Sequence, residues 1–145
     1  GNFRIDALQA GVVLAKLKYL DQWTEKRREN AQAYNSFFKE RGLTNQLTVP
    51  SEDFAKHVYN QYVIRIKKKR TELRSFLNEN NISTEIYYPL PLHLQNCFAY
   101  LGHKQGAFPE SEKAANETIA LPIFPELTQN QISYIVDKID DFLNK

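Results

Sequence analysis

The sequence predicts an α/β fold in which a long N-terminal helical stretch precedes a small sheet with flanking helices. Three patterns predict it. Apolar residues recur at three- and four-residue spacing through the first part of the chain. A run rich in Tyr, Val and Ile follows at 58–66, and a helical apolar stripe stands behind a capping box near the end. With 145 residues, 42% of them hydrophobic, the chain has enough apolar side chain to bury a core and fits one compact unit.

The first element begins near Ile5. Ile5, Leu8, Val12, Ala15 and Tyr19 share one helical face, and Asp6 places a negative charge at the positive end of the helix dipole. The pattern resumes through Trp23, Arg27, Ala31, Tyr34 and Phe38, with Glu25, Lys26, Arg28 and Glu29 between them, and Gly42 supplies a stop. One long helix is expected, or two with a bend near Asp21. That length exceeds the usual globular helix, so the element is expected to bridge two bodies or run along a domain boundary.

After a loop containing Pro50, the 58–66 run alternates Tyr62, Ile64 and Ile66 with Val63 and Arg65, as a strand does. Residues 71–78 put Leu73, Phe76 and Leu77 on one helical face, and 82–88 is expected to be a second strand. Pro89 and Pro91 exclude regular structure over the next few positions, and a short helix is expected at 94–100 before Gly102. Pro109 suits a first helical turn, which predicts a helix over 110–118, and Pro122 and Pro125 bracket a short extended piece at Ile123 and Phe124. Last, Thr128 and Gln131 form a capping box ahead of Ile132, Ile135, Val136, Ile139, Phe142 and Leu143, one continuous apolar stripe.

Composition excludes more functions than it supports. Nineteen basic against seventeen acidic residues leave a net charge of +2, too small to require a nucleic acid or a membrane as partner. A single cysteine, Cys97, rules out an internal disulfide framework and fits a reducing compartment, so a cytoplasmic protein is expected. No run approaches the about 18 consecutive apolar residues that span a bilayer. The chain holds no methionine and opens on Gly1 directly ahead of a strong helical pattern, so a piece of a longer protein is expected. A processed start would produce the same residue.

Several constellations are open to a chemical reading. His93, Cys97 and His103 could share a zinc ion, but no fourth ligand is placed and structural zinc favours paired cysteines; a loop histidine pair beside a small thiol is the simpler reading, and no metal is expected. Lys67, Lys68, Lys69 and Arg70 follow Tyr59 and Tyr62, the combination of an RNA-binding surface, yet a solvated strand-to-helix corner accounts for them without RNA. Five scattered glycines cannot make a phosphate cradle, and neither a nucleophile elbow nor a zinc-protease helix is present. The run YYPLPLHL stands out because two prolines hold the backbone extended while Tyr87, Tyr88 and His93 carry hydrogen-bonding groups. It fits the rigid edge of a pocket and, equally, a proline-rich crossover packed on the core.

Taken in order, GNFRIDALQA, VYNQYVIRI, ISTEIYYPLPLHLQ, LG, FPESEKAA and ALPIFPELTQNQI resemble the DegT/DnrJ/StrS family of pyridoxal-phosphate-dependent sugar aminotransferases. The resemblance covers nearly the whole chain, least clearly at 42–55. It implies the small C-terminal domain of the aspartate-aminotransferase fold type I, with 1–42 as the interdomain linking helix or helices and 43–145 as the small domain. It also implies amino transfer, typically from glutamate, to a nucleotide-linked keto sugar, in a homodimer whose N-terminal large domain carries the cofactor-binding lysine. No lysine here is assigned that role, and the piece alone is expected to be inactive and to hold no cofactor.

Residue by residue, the resemblance gives Asn2 a contact with the cofactor phosphate of the partner subunit, and gives Arg4, Tyr87, Tyr88 and His93 contacts with substrate. Tyr87 stands where the family more often has histidine, which argues against proton transfer there. Asn60 also replaces a histidine of some relatives and is assigned no chemistry. The alternative from a different class is a free-standing α/β module that binds a small ligand or RNA.

Overall fold

The computed structural model describes residues 3–52 and 56–144. The N-terminal helical stretch is two helices, α1 (Ala7–Leu17) and α2 (Leu20–Glu40), and they part at Lys18 and Tyr19, slightly ahead of the expected bend. Asp6 does more than complement the dipole. Its carboxylate accepts from Gln9 N (2.8 Å), while Gln9 Oε1 accepts from Asp6 N (3.3 Å), a reciprocal capping box. The two helices then behave differently. α1 buries no residue, and Leu8 and Leu14 are 81% and 71% exposed. α2 buries Thr24, Asn30, Ala31, Tyr34 and Phe38, a stripe at helical spacing. Gly42 ends it in the left-handed region (φ 67°), where a side chain would be strained.

Among the described residues three antiparallel strands follow in the order β1–β2–β3. β1 (Leu47–Thr48) lies in the stretch expected to be loop; β2 (Tyr62–Ile66) is central; β3 is Thr118–Leu121. β2 starts later than the pattern predicts, because Tyr59 has φ 46°, outside the extended region. Its inward residues Tyr62, Ile64 and Ile66 are buried, and on the opposite face Arg65 reaches Glu117 at 2.5 Å.

β3 corrects the expected end of the fourth helix. α4 (Pro109–Glu117) stops at Glu117, where the Thr118 hydroxyl donates to Ala114 O (2.7 Å) and the backbone turns extended. The expected strand at 82–88 is also corrected. Ile82, Thr84 and Ile86 do point inward on alternate positions, but only Glu85 and Ala120 pair, through N–H to carbonyl bonds of 3.2 and 2.7 Å. In that register Ser83 would face Pro122, which has no N–H to give.

α3 (Arg70–Glu79) and α5 (Gln129–Leu143) complete the fold. The Thr128–Gln131 capping box is formed, and the stripe Ile132, Ile135, Val136 and Ile139 is buried where α5 packs on α2 and α3. Arg41 fastens the far end of α2 to α5 by bonds to Asp137 (2.7 Å) and Ser133 (2.9 Å). The Pro122-to-Pro125 stretch is irregular, and its free carbonyls are taken by α2: Tyr34 donates to Pro122 O (3.0 Å) and Asn30 to Phe124 O (2.9 Å). Arg28 holds the loop ahead of β2 by donating to Glu52 and to His57 O (2.9 Å). The helix expected at 94–100 is two short 3-10 pieces, Leu92–Leu94 and Asn96–Leu101, the second closed by Gly102.

Candidate functional site

The run 87–93 leaves the sheet directly after the Glu85 bridge. Ile86 still points into the core, whereas Tyr87 and Tyr88 beyond it are 49% and 66% exposed. Their rings meet edge to face at 6.5 Å across a cis peptide bond. Tyr87 borders a shallow groove of about 210 Å³ with Asn60, Gln61, Thr84, Pro122 and Ile123. Thr84, 8% exposed, also lines it, and its hydroxyl has no hydrogen-bond partner among the described residues.

His93 has a different environment. The 3-10 turn after Pro91 carries it inward, and its Nε2 lies 2.9 Å from Glu112 Oε1. Gly106 N donates to the same oxygen at 2.8 Å, from a residue whose φ of 90° excludes a side chain without strain. Glu112 belongs to the first turn of α4, where backbone N–H groups point at an anion. Burial pushes the Glu112 carboxyl up, but the Gly106 N–H, the His93 ring and the Phe108 backbone together outweigh it and hold the group below its ordinary 4.5. The carboxylate is therefore an acceptor only, and His93 Nε2 must be the donor. Phe108 packs between two imidazoles, 4.9 Å from His93 and 5.0 Å from His103, over an apolar hollow of about 380 Å³ that Leu92, Phe98 and Leu101 also line.

Of the five residues singled out from the sequence, the structure describes four and does not gather them around one hollow. Tyr87 and His93 line separate hollows, Tyr88 is exposed beside Tyr87, Arg4 is exposed ahead of α1, and Asn2 lies outside the described residues. The candidate zinc trio is split: His93 is committed to Glu112, His103 packs on Phe108, and exposed Cys97 has its Sγ 3.8 Å from Gln95 Oε1. Among the described residues no group of three His, Cys, Asp or Glu could hold a metal ion. The basic corner is partly structural, since Arg70 donates to Ala115 O (2.9 Å) and Asn116 O (3.1 Å) at the end of α4. Glu112 is the residue that sequence reasoning missed. Its signal was its place three residues after Pro109, in a first helical turn.

Residues 1–140 match the DegT/DnrJ/EryC1/StrS aminotransferase family. The chain belongs to that family. It is 48% identical over 142 residues to a pleiotropic regulatory protein of Geobacillus stearothermophilus, covering 97% of this chain and 38% of that one. It is 36% identical over 141 residues to dTDP-3-amino-3,6-dideoxy-alpha-D-galactopyranose transaminase of Aneurinibacillus thermoaerophilus, covering 97% of this chain and 37% of that one. Among solved structures it resembles DesV of S. venezuelae, determined in complex with a ketimine intermediate, with a TM-score of 0.89 and 29% identity over 98% of this chain and 38% of that one. The chain thus spans less than two-fifths of the length of these relatives.

Members of the family depend on pyridoxal phosphate. The described residues of this chain do not by themselves fit that cofactor. Their lysines are exposed, except for half-buried Lys138, which is paired with Asp141 at 3.0 Å. None is enclosed beside a cluster of phosphate-binding donors. No helix of the described residues is long and apolar enough to cross a membrane.

Proposed function

We propose that this chain works as the C-terminal part of a homodimeric, pyridoxal-phosphate-dependent transaminase that moves an amino group, typically from glutamate, to a nucleotide-linked keto sugar. Residues 43–145 are its small domain and 1–42 the helices that join it to a large cofactor-bearing domain. The observation that carries this reading is the family match across 1–140, which includes both the opening stretch and the 87–93 edge. The geometry of α1 supports it: Leu8, Val12, Val13, Leu14 and Leu17 are all exposed, apolar surface around most of the helix that a second body would cover. In this arrangement Asn2 meets the cofactor phosphate of the partner subunit. Arg4, Tyr87, Tyr88 and His93 border the sugar side of the cleft.

The test is expression of the complete coding sequence and measurement of amino transfer from glutamate to dTDP- and UDP-linked keto sugars by product NMR. Transfer is expected; a purified, cofactor-loaded protein that aminates none of them would overturn the reading. The 145-residue chain alone is expected to show no transfer when the cofactor is added. A stoichiometric, borohydride-fixed cofactor adduct on one of its lysines would contradict that.

A further inference from the structure

Glu112 makes more contacts than a helix-surface acid needs. One carboxylate oxygen accepts both from His93 Nε2 (2.9 Å) and from Gly106 N (2.8 Å), and the side chains on the two sides of the pair are only 7% and 16% exposed. The oxygen thereby ties the 3-10 turn after Pro91 to the turn that leads into α4, two segments otherwise joined through the 3-10 piece Asn96–Leu101 and its flanking residues. Because an ionised carboxylate has no proton to give, the imidazole must present N–H at Nε2. A neutral ring so held keeps its lone pair on Nδ1, and Nδ1 can then only accept. Phe108 closes one side of the ring and limits its rotation.

We propose that Glu112 is a positioning residue that fixes His93 as an Nδ1 acceptor at the rim of the substrate cleft, suited to a hydroxyl of the sugar and unsuited to a phosphate oxygen. A phosphate oxygen needs a donor, and the donor nitrogen of this ring is already spent on Glu112. Glu112 touches no substrate itself. Its role in turnover rests on the function proposed above, but the clamp does not, so two measurements separate the two ideas.

The first uses the chain alone. Long-range ¹H–¹⁵N spectra of the histidine rings should show His93 as the Nε2–H tautomer at neutral pH, with a slowly exchanging ring N–H and a protected Gly106 amide. Glu112→Ala should lose both signals, whereas Glu112→Gln, which keeps a carbonyl oxygen, should retain them in part. An Nδ1–H tautomer or a doubly protonated ring in the unaltered chain at neutral pH, or signals unmoved in Glu112→Ala, would overturn the proposal.

The second uses the complete transaminase. Glu112→Ala should raise KM for the keto sugar by about tenfold, the loss of roughly one hydrogen bond to substrate, with a smaller fall in kcat. Glu112→Gln should recover most of it, and Lys113→Ala, one position along on the exposed face, should change neither value. If Glu112→Ala does not fold, the Gln variant and the tautomer of the unaltered chain still decide. An unchanged KM alongside a lost ring signal makes Glu112 a structural clamp only and overturns the positioning role. A complete protein that aminates no keto sugar overturns the proposed function, while the ring signals judge the clamp independently.

Discussion

Tyr34 of α2 and Tyr62 of the central strand stack with ring centroids 4.7 Å apart and planes 18° from parallel. Their hydroxyls leave the stack to different partners: Tyr34 donates to Pro122 O at 3.0 Å, and Tyr62 donates to Asn35 Oδ1 at 2.6 Å. Helix, strand and the proline-bracketed stretch are thus joined at one pair of rings. Each Tyr→Phe change keeps the stack and removes one bond, so each should cost about 1 kcal/mol, and Tyr34→Phe somewhat more because a half-enclosed carbonyl is left unmet. Tyr34→Ala should cost about 3–5 kcal/mol through the cavity it opens. Urea midpoints check both, and an unmoved midpoint in Tyr34→Phe would show that the Pro122 bond contributes nothing.

Burial raises both phenols far above their ordinary 10.0, with Tyr34 and Tyr59 adding to the effect on Tyr62. The folded chain therefore keeps two protons that the unfolded chain releases once the pH passes about 10, and stability must fall as pH rises through that range. Tyrosinate absorbance from these two rings should appear together with loss of far-UV ellipticity. Ionisation of either ring in a chain that stays folded would contradict this.

The acid side has the opposite sign. Glu112 and Glu52 are both held below the ordinary 4.5. For Glu52 the leading cause is its hydrogen bond with Arg28, helped by the His57 N–H; for Glu112, burial opposes the shift and donors from Gly106, His93 and Phe108 overcome it. A carboxyl with a depressed folded value stabilises fully above its unfolded value, and the contribution is lost as pH falls through the folded one. Between about pH 7 and about pH 3 the urea midpoint of the chain should fall more steeply than that of Glu112→Gln. Parallel curves would show that the Glu112 clamp adds no pH dependence.

Asp6→Ala removes the carboxylate half of the α1 capping box, a change worth about 1 kcal/mol to a helix. Because α1 buries nothing, that loss should stay local. Amide protection across 7–17 should drop while the urea midpoint stays put. A midpoint that moves with the cap would mean that α1 is coupled to the core.

How much of this was legible in the sequence depended on how local the cause was. α5 was fully legible, because its capping box and stripe sit within one run of residues. α2 was legible from its stripe and from Gly42 at its end, but with no side-chain cap its start was not marked. β3 was not, because four residues, Thr118–Leu121, follow α4 with no glycine or proline between, so only pairing with β2 distinguishes them from another helical turn. The 82–86 segment showed the alternation of a strand, but whether it bonded depended on the residue across from it, and Pro122 is 39 positions from Ser83. The candidate site behaved likewise. The 87–93 run was visible as an exposed, proline-stiffened edge, whereas the Glu112 partner of His93 lies 19 residues on, and its role emerges only when α4 is in place.

The packing of α5 on α2 also sets a timetable. The core stripe of α2 leaves the ribosome well before residues 129–143 exist, an interval of roughly ten seconds at a synthesis rate of about 5–20 residues per second. Throughout it Tyr34, Phe38 and the inward side of β2 lack the helix that covers them, and their apolar surface stays open. A premature stop anywhere ahead of α5 therefore leaves the core between α2, α3 and the sheet open.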